Sequence, residues 1–452
     1  MDKLLEVREF DTITGNADFK SDEKYKYLDT AAFHDLVEFI HEFSGDEENA
    51  DALDFMRISY KRNVGDVVTI KNYVGLIQMR NGYQVQVLPK ISFDSVDDTG
   101  NKDTKRVFLK MLKSMKDFPS KVFNDASLKV DRMNLYEIFI NMYLQEVRQL
   151  VKRGIKSAYV RQEDNLKFYK GKLLTSQHIK TNMTHKERFY AAYDEFHPNR
   201  PENKLVKATL LKLQQLTTSA ENSKEIRQLL TAFGMVEPST NHMKEFSQIK
   251  IDRNTKDYEM LMQWSKIFLM NKSFTTFSGK NTSRALLFPM ESVYESYVAQ
   301  QMKKVLGLAG WEVSSQDKGY YLFTEPRRQF ALRPDIVCKR GDRTVIMDTK
   351  WKSLISSERA NYGISQSDMY QMYAYSKKYE TSEIWLLYPL NDEMRGHSEI
   401  KFESGDGTTV RLHFVDVAHI EETLEELKKK LEVTEYENRR KSNRGHQRLC
   451  QL

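Results

Sequence analysis

Two short apolar strands, Arg333-Pro334-Asp335-Ile336-Val337 and Val345-Ile346-Met347-Asp348-Thr349-Lys350-Trp351, carry charges within them and flank a Gly341-Asp342 turn. An unpaired buried charge costs several kcal/mol, so two acids and a lysine in such strands need a reason. Gly followed by Asp is a two-residue hairpin signal that favours a type II′ turn. With those two residues as the loop, Asp335 stands opposite Asp348. Directly opposed side chains share a face, about 5 Å apart. Lys350 lies two residues beyond Asp348, so the pleat returns it to that face. Ile346 shares the charged face, while Met347 and Thr349 point away.

Two close carboxylates repel each other unless a cation sits between them. Hard oxygen ligands with room for water suit Mg²⁺, with Mn²⁺ expected to substitute. Such an ion polarises a phosphate and lowers the pKa of a water. Lys350 would neutralise developing charge or help hold the attacking water. The patch therefore reads as a phosphodiester hydrolysis site. The same residues would also suit an ion-paired surface hairpin, because neither Pro-Asp nor Asp-x-Lys is distinctive alone.

The remaining sequence bounds the classes open to the chain. Its 452 residues suggest two to four domains, and only 9 prolines and 19 glycines argue against long disordered linkers. A net charge of +6 permits nucleic-acid contact without requiring it. Cys338 and Cys450 give no disulfide framework and no Cys-rich zinc site, and Cys338 reads as a small core residue. The N-terminus Met1-Asp2-Lys3-Leu4-Leu5-Glu6 has no apolar signal region. No apolar run approaches the roughly 18 residues of a membrane helix. A soluble, cytoplasmic protein is expected.

An α/β and α+β multidomain chain is predicted. Residues 1–95 read as an α+β domain. Thr30 is placed to cap a helix carrying Phe33, Leu36, Val37 and Ile40 at helical spacing. Strands are expected at 55–60, 67–70, 74–79 and 83–88, the last two joined by a type I′ turn at Asn81-Gly82. Residues 96–283 read as mostly helical, with Leu135, Ile138, Phe139, Met142 and Tyr143 marking one helix and Leu205, Leu210, Leu211, Leu213 and Leu216 another. Within this region Lys167-Phe168-Tyr169-Lys170-Gly171-Lys172 interleaves cations with aromatics. Lys170 and Lys172 could grip a phosphate backbone there, or the segment could be a solvated turn with its aromatics in the core.

Residues 284–432 read as a helix, three strands including the charged hairpin, a helix and a strand. Residues 433–452 read as a disordered basic tail, with five cations and no acid between Arg439 and Arg448. Ser278-Gly279-Lys280 lacks the earlier glycine of a phosphate-binding loop, because Phe274 stands there. His178, His185 and His197 lack metal-ligand spacing.

Pro334-Asp335 followed by Asp348-Thr349-Lys350 resembles the signature of the PD-(D/E)xK nuclease fold. Gln371-Met372-Tyr373-Ala374-Tyr375 is similar to the Gln-x3-Tyr motif that several branches carry on the next helix. Glu295, in Tyr294-Glu295-Ser296-Tyr297-Val298, matches the acid on that fold's first helix. Beyond this core, Val74-Gly75-Leu76-Ile77, Val87-Leu88-Pro89-Lys90-Ile91, Tyr169-Lys170-Gly171-Lys172-Leu173, Asn203-Lys204-Leu205-Val206-Lys207 and Leu286-Leu287-Phe288-Pro289-Met290 resemble segments of the McrC family. The likeness spans roughly residues 60 to 390; Lys204 and Val206 stand where that family more often has Arg and Leu.

The resemblance implies a C-terminal PD-(D/E)xK domain with a central mixed sheet flanked by helices. It implies a Mg²⁺-dependent endonuclease subunit of a modification-dependent restriction system. Its partner would be a hexameric McrB-like AAA+ GTPase that reads methylated DNA, and this chain would stimulate GTP hydrolysis through its N-terminal region. By the same resemblance Asp335, Asp348, Glu295 and the Thr349 carbonyl hold metal, and Lys350 orients the attacking water. Gln371 would orient the site. Tyr375 would pack behind it, lie near DNA, or belong to the core with Tyr370 and Tyr373. Two paired copies would supply the two sites that double-strand cleavage of DNA needs. The rival expectations are a stand-alone nuclease of this fold, and a regulator of an AAA+ partner with a vestigial site.

Overall fold

The computed structural model describes residues 3–44, 55–79, 81–91, 102–116, 118–119, 133–270, 284–397 and 399–449. The chain forms two compact units, one of Met1–Phe118 with Leu286–Leu452 and one of Pro119–Ala285. The two ends of the chain, expected as separate domains bounded at residues 95 and 284, therefore share one unit. Ser278-Gly279-Lys280 and Cys450 lie outside the described residues.

The first unit opens with β1 (Leu4–Arg8), β2 (Thr12–Thr14), β3 (Tyr25–Tyr27) and α1 (Thr30–Ser44). Next come β4 (Met56–Lys61), β5 (Gly65–Ile70), β6 (Tyr73–Gln78), β7 (Gln84–Leu88) and α2 (Lys102–Leu112). The cap of α1 is Asp29, not Thr30: its Oδ1 accepts from Ala31 N at 3.1 Å, while the Thr30 hydroxyl donates to Gly15 O. Phe33, Leu36 and Ile40 are buried as their spacing predicts.

The β6–β7 loop is one residue longer than a type I′ turn. Met79 N donates to Tyr83 O, and Gly82, at φ +81°, takes the left-handed position of a three-residue loop. Two sheets result, β3-β2-β5-β4 and β1-β7-β6-β11. The last strand, β11 (Arg284–Pro289), comes from the C-terminal half. Its entry into this sheet joins the two ends of the chain. Gly75, at φ +145°, permits the approach, because a Cβ there would lie 1.9 Å from Leu286 O.

The second unit holds α3 (Leu135–Arg153), β8 (Ala158–Leu166), β9 (Lys172–Leu173), α4 (Thr175–Asn182) and β10 (Phe189–His197). It continues with α5 (Pro201–Leu216), α6 (Ala220–Ala232), α7 (His242–Gln248) and α8 (Glu259–Met270). The two helices expected from leucine and aromatic spacing are α3 and α5. The sheet β8-β10-β9 was not expected. Arg161 to Asn165 are five consecutive polar residues, so β8 lacks the alternation that marks a half-buried strand.

The first unit resumes with α9 (Met290–Gly307), β12 (Glu312–Ser315), β13 (Tyr320–Phe323), β14 (Gln329–Leu332), β15 (Ile336–Arg340) and β16 (Arg343–Thr349). It ends with α10 (Gln366–Lys378), β17 (Glu383–Pro389), β18 (Lys401–Glu403), β19 (Thr409–Val415) and α11 (Ile420–Leu449). A six-stranded mixed sheet has the order β12-β15-β16-β17-β19-β18. Its central strands β16, β17 and β19 run parallel; β17 is wholly buried, β16 nearly so and β19 in part. Ile346, Ile384, Leu386 and Leu412 form a core with Met372 and Tyr375 of α10. The opposite face meets α9 and α11, where His413 bonds the Thr423 carbonyl. Burial pushes the His413 imidazole down to about 3. The segment after residue 432, expected to be disordered, instead prolongs α11 to Leu449. Among the described residues no helix is long and apolar enough to cross a membrane.

Candidate active site

The charged hairpin has the register its turn dictates. Val337 pairs with Ile346 and Arg340 with Arg343, so Gly341-Asp342 is the loop, with Gly341 at φ +58°. The ladder reaches Ile336–Met347, which sets Asp335 one step beyond it, opposite Asp348. The Asp335 carboxylate is held by two donors from one residue: Thr349 N at 2.7 Å and Thr349 Oγ1 at 2.6 Å, both on Oδ2. The Thr349 hydroxyl thus serves the site, although strict alternation points it away. The reason is that Asp335 has left the ladder and its carboxylate reaches the next residue of the neighbouring strand.

Asp348 is 1% exposed, and Lys350 Nζ lies 2.5 Å from its Oδ2. Lys350 Nζ also donates to Gln371 Oε1 at 3.3 Å. Gln371 in turn donates from Nε2 to Tyr375 Oη at 2.8 Å, which turns its oxygen toward the lysine. Glu295 comes from α9 and accepts from Gln316 Nε2 at 3.0 Å. Gln316, just past β12, donates its own N–H to Asp335 O.

The electrostatics follow from burial with too little positive charge. Burial, then the Asp335 carboxylate, pushes Asp348 up to about 7 against the pull of Lys350. Burial, then Asp335, likewise lifts Glu295 to about 7 against Gln316 and Lys350. Asp335 is raised by burial despite the two Thr349 hydrogen bonds. Burial works to lower Lys350, but Asp348, Asp335 and Asp368 together outweigh it and raise the ammonium's pKa. Three acids therefore face one ammonium, and their pKa values report an unmet demand for positive charge.

That donor set fits a hard divalent cation: carboxylate oxygens, a strand-end carbonyl at Thr349, and excess negative charge. The arrangement is open. Among the described residues, His34, Asp35 and Glu38 on α1 are the only three such side chains with ligand atoms all within 4.8 Å of one another. Wider spacing suits Mg²⁺, which keeps several waters and takes one or two carboxylates. The α1 trio lies along one helix, with His34 and Glu38 exposed.

Asp335, Asp348, Thr349, Lys350, Glu295 and Gln371 are thus brought together. Tyr375 joins them only from behind: it is 1% exposed, so it offers no surface to DNA. Lys170 and Lys172 lie in the second unit. Lys170 Nζ sits 4.0 Å from the Tyr193 ring and 4.0 Å from Glu195, while Lys172 is exposed on β9. Phe168 and Tyr169 are exposed, so they do not face a core.

Three supports escaped sequence reading. Gln316 and Asp368 carry no motif, yet Gln316 ties Glu295 to the Asp335 backbone, and Asp368 adds to the field on Asp348 and Lys350. The third is Trp351, next to Lys350. Its Nε1 donates to both carboxylate oxygens of Glu9, at 3.1 and 3.0 Å, and its ring packs 5.2 Å from Tyr294, the neighbour of Glu295. A tryptophan directly after the lysine of the charged hairpin is the signal that could have flagged it. Glu9 is buried at the end of β1 and also accepts from Lys90 N.

The chain matches a family model described as "McrBC 5-methylcytosine restriction system component" over residues 68–389. No curated protein matches it. A similar solved structure is a half-complex from a tetradecameric assembly of Thermococcus gammatolerans McrB AAA+ hexamers with bound McrC. It is 20% identical, covers 95% of this chain and 100% of that one, and has a TM-score of 0.69, a likeness of fold. The cryo-EM structure of the Thermococcus gammatolerans McrBC complex is 19% identical, covering 67% of this chain and 88% of that one, with a TM-score of 0.47.

Proposed function

The chain belongs to the McrBC 5-methylcytosine restriction system component family, and from that premise we propose that it is the McrC-like, DNA-cutting subunit of a GTPase-driven, modification-dependent restriction complex. The observation that carries this reading is the convergence of Asp335, Asp348, Lys350, Glu295 and Gln371 at one end of the mixed sheet, with two of the acids raised to about 7. That convergence supports reading the site as one of the PD-(D/E)xK kind.

Asp335, Asp348, Glu295 and the Thr349 carbonyl would hold Mg²⁺, with Mn²⁺ as a substitute. When bound, the ion supplies Lewis-acid polarisation of the scissile phosphate and offsets the acids' charge. The side chains do the rest. Thr349 fixes Asp335 through two hydrogen bonds, so one acid is aimed before substrate arrives. Lys350, held between Asp348 and Gln371, orients the attacking water and faces the charge that grows on the phosphate oxygens. Tyr375 keeps the Gln371 amide in its orientation. The partner would be a McrB-like AAA+ hexamer that carries the modified-base reader, in keeping with the assembly of the similar Thermococcus gammatolerans structure.

The test is cleavage of a cytosine-methylated plasmid with Mg²⁺, GTP and the partner hexamer. Wild type should cut, whereas Asp348→Ala and Lys350→Ala should not, although both still assemble with the partner on a sizing column. Cutting by Asp348→Ala at the wild-type rate would overturn the site. Vigorous cutting by the purified chain without partner or nucleotide would favour a stand-alone nuclease.

A further inference from the structure

Just before the first catalytic acid, the chain makes a hairpin that belongs to neither large sheet. Among the described residues, strands β13 and β14 pair only with each other, Tyr320 with Leu332 and Phe323 with Gln329, joined by residues 324–328. Its inner end is anchored by the Tyr320 ring, 4.2 Å from Tyr379 behind α10. Its outer part is unusual. Phe323 and Phe330 are 55% and 68% exposed and meet edge to face, and Arg327, Arg328 and Arg333 are all exposed. Phe330 also has φ +56°, a left-handed backbone that bulky residues rarely adopt. Neither burial nor backbone preference accounts for a phenylalanine there, and retained strain of this kind marks functional positions.

We propose that this hairpin is a duplex-DNA clamp, with Arg327 and Arg328 on backbone phosphates and Phe323 and Phe330 against base edges in the major groove. The proposal rests on the nuclease reading above. Three observations carry it. A two-stranded ribbon has the shape that a major groove about 12 Å wide admits. Only Arg333 and Pro334 separate Leu332 from Asp335, three steps with a reach of roughly 10 Å, so a duplex placed at the acids passes within range of the hairpin. The charge is also complementary: residues 327–333 hold three arginines and no acid. Arginines would set position on the backbone, and the aromatic pair would supply apolar contact such as Phe makes with a thymine methyl.

The experiment is fluorescence anisotropy of a labelled duplex with the full chain in Mg²⁺-free buffer, titrated with KCl. It compares wild type, Arg327→Gln/Arg328→Gln and Phe330→Gly. Each lost phosphate contact flattens the log–log salt dependence by about 0.9, so the double variant should lose about 1 to 2 from its slope. Phe330→Gly should weaken binding roughly fivefold, as loss of a small apolar contact predicts, with slope and melting temperature kept. A purely structural role for Phe330 would move the melting temperature instead.

If wild type cuts DNA while both variants bind like wild type, the clamp is wrong and the nuclease reading stands. If wild type cuts no DNA with its partner present, both fall. If the variants lose the partner hexamer and keep DNA, the hairpin is a protein-docking surface and the clamp is overturned.

Discussion

Two regions place cations beside acids and aromatics, and they behave differently. At the end of β15 and β16, Asp348 is 1% exposed and the groups around it arrive from α9, α10 and two strands. At Lys167–Lys172, the lysines are exposed or half-exposed, and the partners of Lys170, Tyr193 and Glu195, both come from β10. Composition alone ranks the two alike. Burial and convergence separate them, because only the first holds charge that water cannot screen.

The largest test of that contrast is Asp348→Asn. We expect cleavage to fall by at least about 10²–10³-fold, the scale for a group that acts on transition-state charge. Stability should be unchanged or should rise, because the substitution relieves like-charge repulsion between buried acids. A thermal melt beside the cleavage assay checks both. Lost activity with lost stability would mean that Asp348 is chiefly structural.

The next largest effects concern two glycines. A Cβ at Gly75 would lie 1.9 Å from Leu286 O, and one at Gly171 would lie 2.2 Å from Ala192 O. Both have positive φ, +145° and +75°. Each Gly→Ala change should therefore destabilise its own unit by about 3 kcal/mol or more. Gly75→Ala displaces β11, which runs into the helix carrying Glu295, so cleavage should fall with it. Gly171→Ala should leave the nuclease chemistry intact, with faster hydrogen exchange confined to residues 158–197. The glycine of Lys-Gly-Lys is thus set by packing against β10, whatever its lysines touch.

Glu9 sharpens the comparison from inside the first unit. It too is a buried acid, pushed up to about 7 by burial against the pulls of Lys90 N, Trp351 and the Lys90 charge. A carboxyl whose folded pKa lies above its unfolded value stabilises the fold below the unfolded value, near 4.5, and loses that contribution as pH rises through about 7. The gap is worth at most about 3 kcal/mol. Glu9→Gln should flatten the decline in stability between pH 5 and 7, read by denaturant melts at each pH. A wild-type curve already flat over that window would contradict this account of Glu9.

The charged hairpin was legible because a two-residue turn fixes register, and register fixes faces. The two helices read in residues 284–432 correspond to α9, Met290–Gly307, and α10, Gln366–Lys378. The β8–β10 ladder was illegible because its strands are held by backbone pairing without an alternating face. The union of the two chain ends was hidden for a different reason. It rests on β11 beside β6 and on Glu9 beside Trp351, contacts between residues far apart in sequence that no local pattern encodes. Gln316 and Asp368 stayed hidden likewise, since each acts only through a neighbour that the fold brings to it.

The smallest expected effect closes the comparison from the other side. Lys170 lies over the Tyr193 ring at 4.0 Å and is half-exposed. An exposed cation–π contact is worth about 0.5–1 kcal/mol, and the Glu195 pair at 4.0 Å adds little in water. Lys170→Gln should therefore cost the second unit less than about 1 kcal/mol in a denaturant melt. Lys172 is exposed, so Lys172→Gln should cost less still. If these lysines do touch DNA, the pair of substitutions will flatten the salt dependence of binding by about 1 to 2 with stability nearly unchanged. A large stability loss with the salt slope intact would instead make them part of the local scaffold, and the contrast with the buried site would then rest on Asp348 alone.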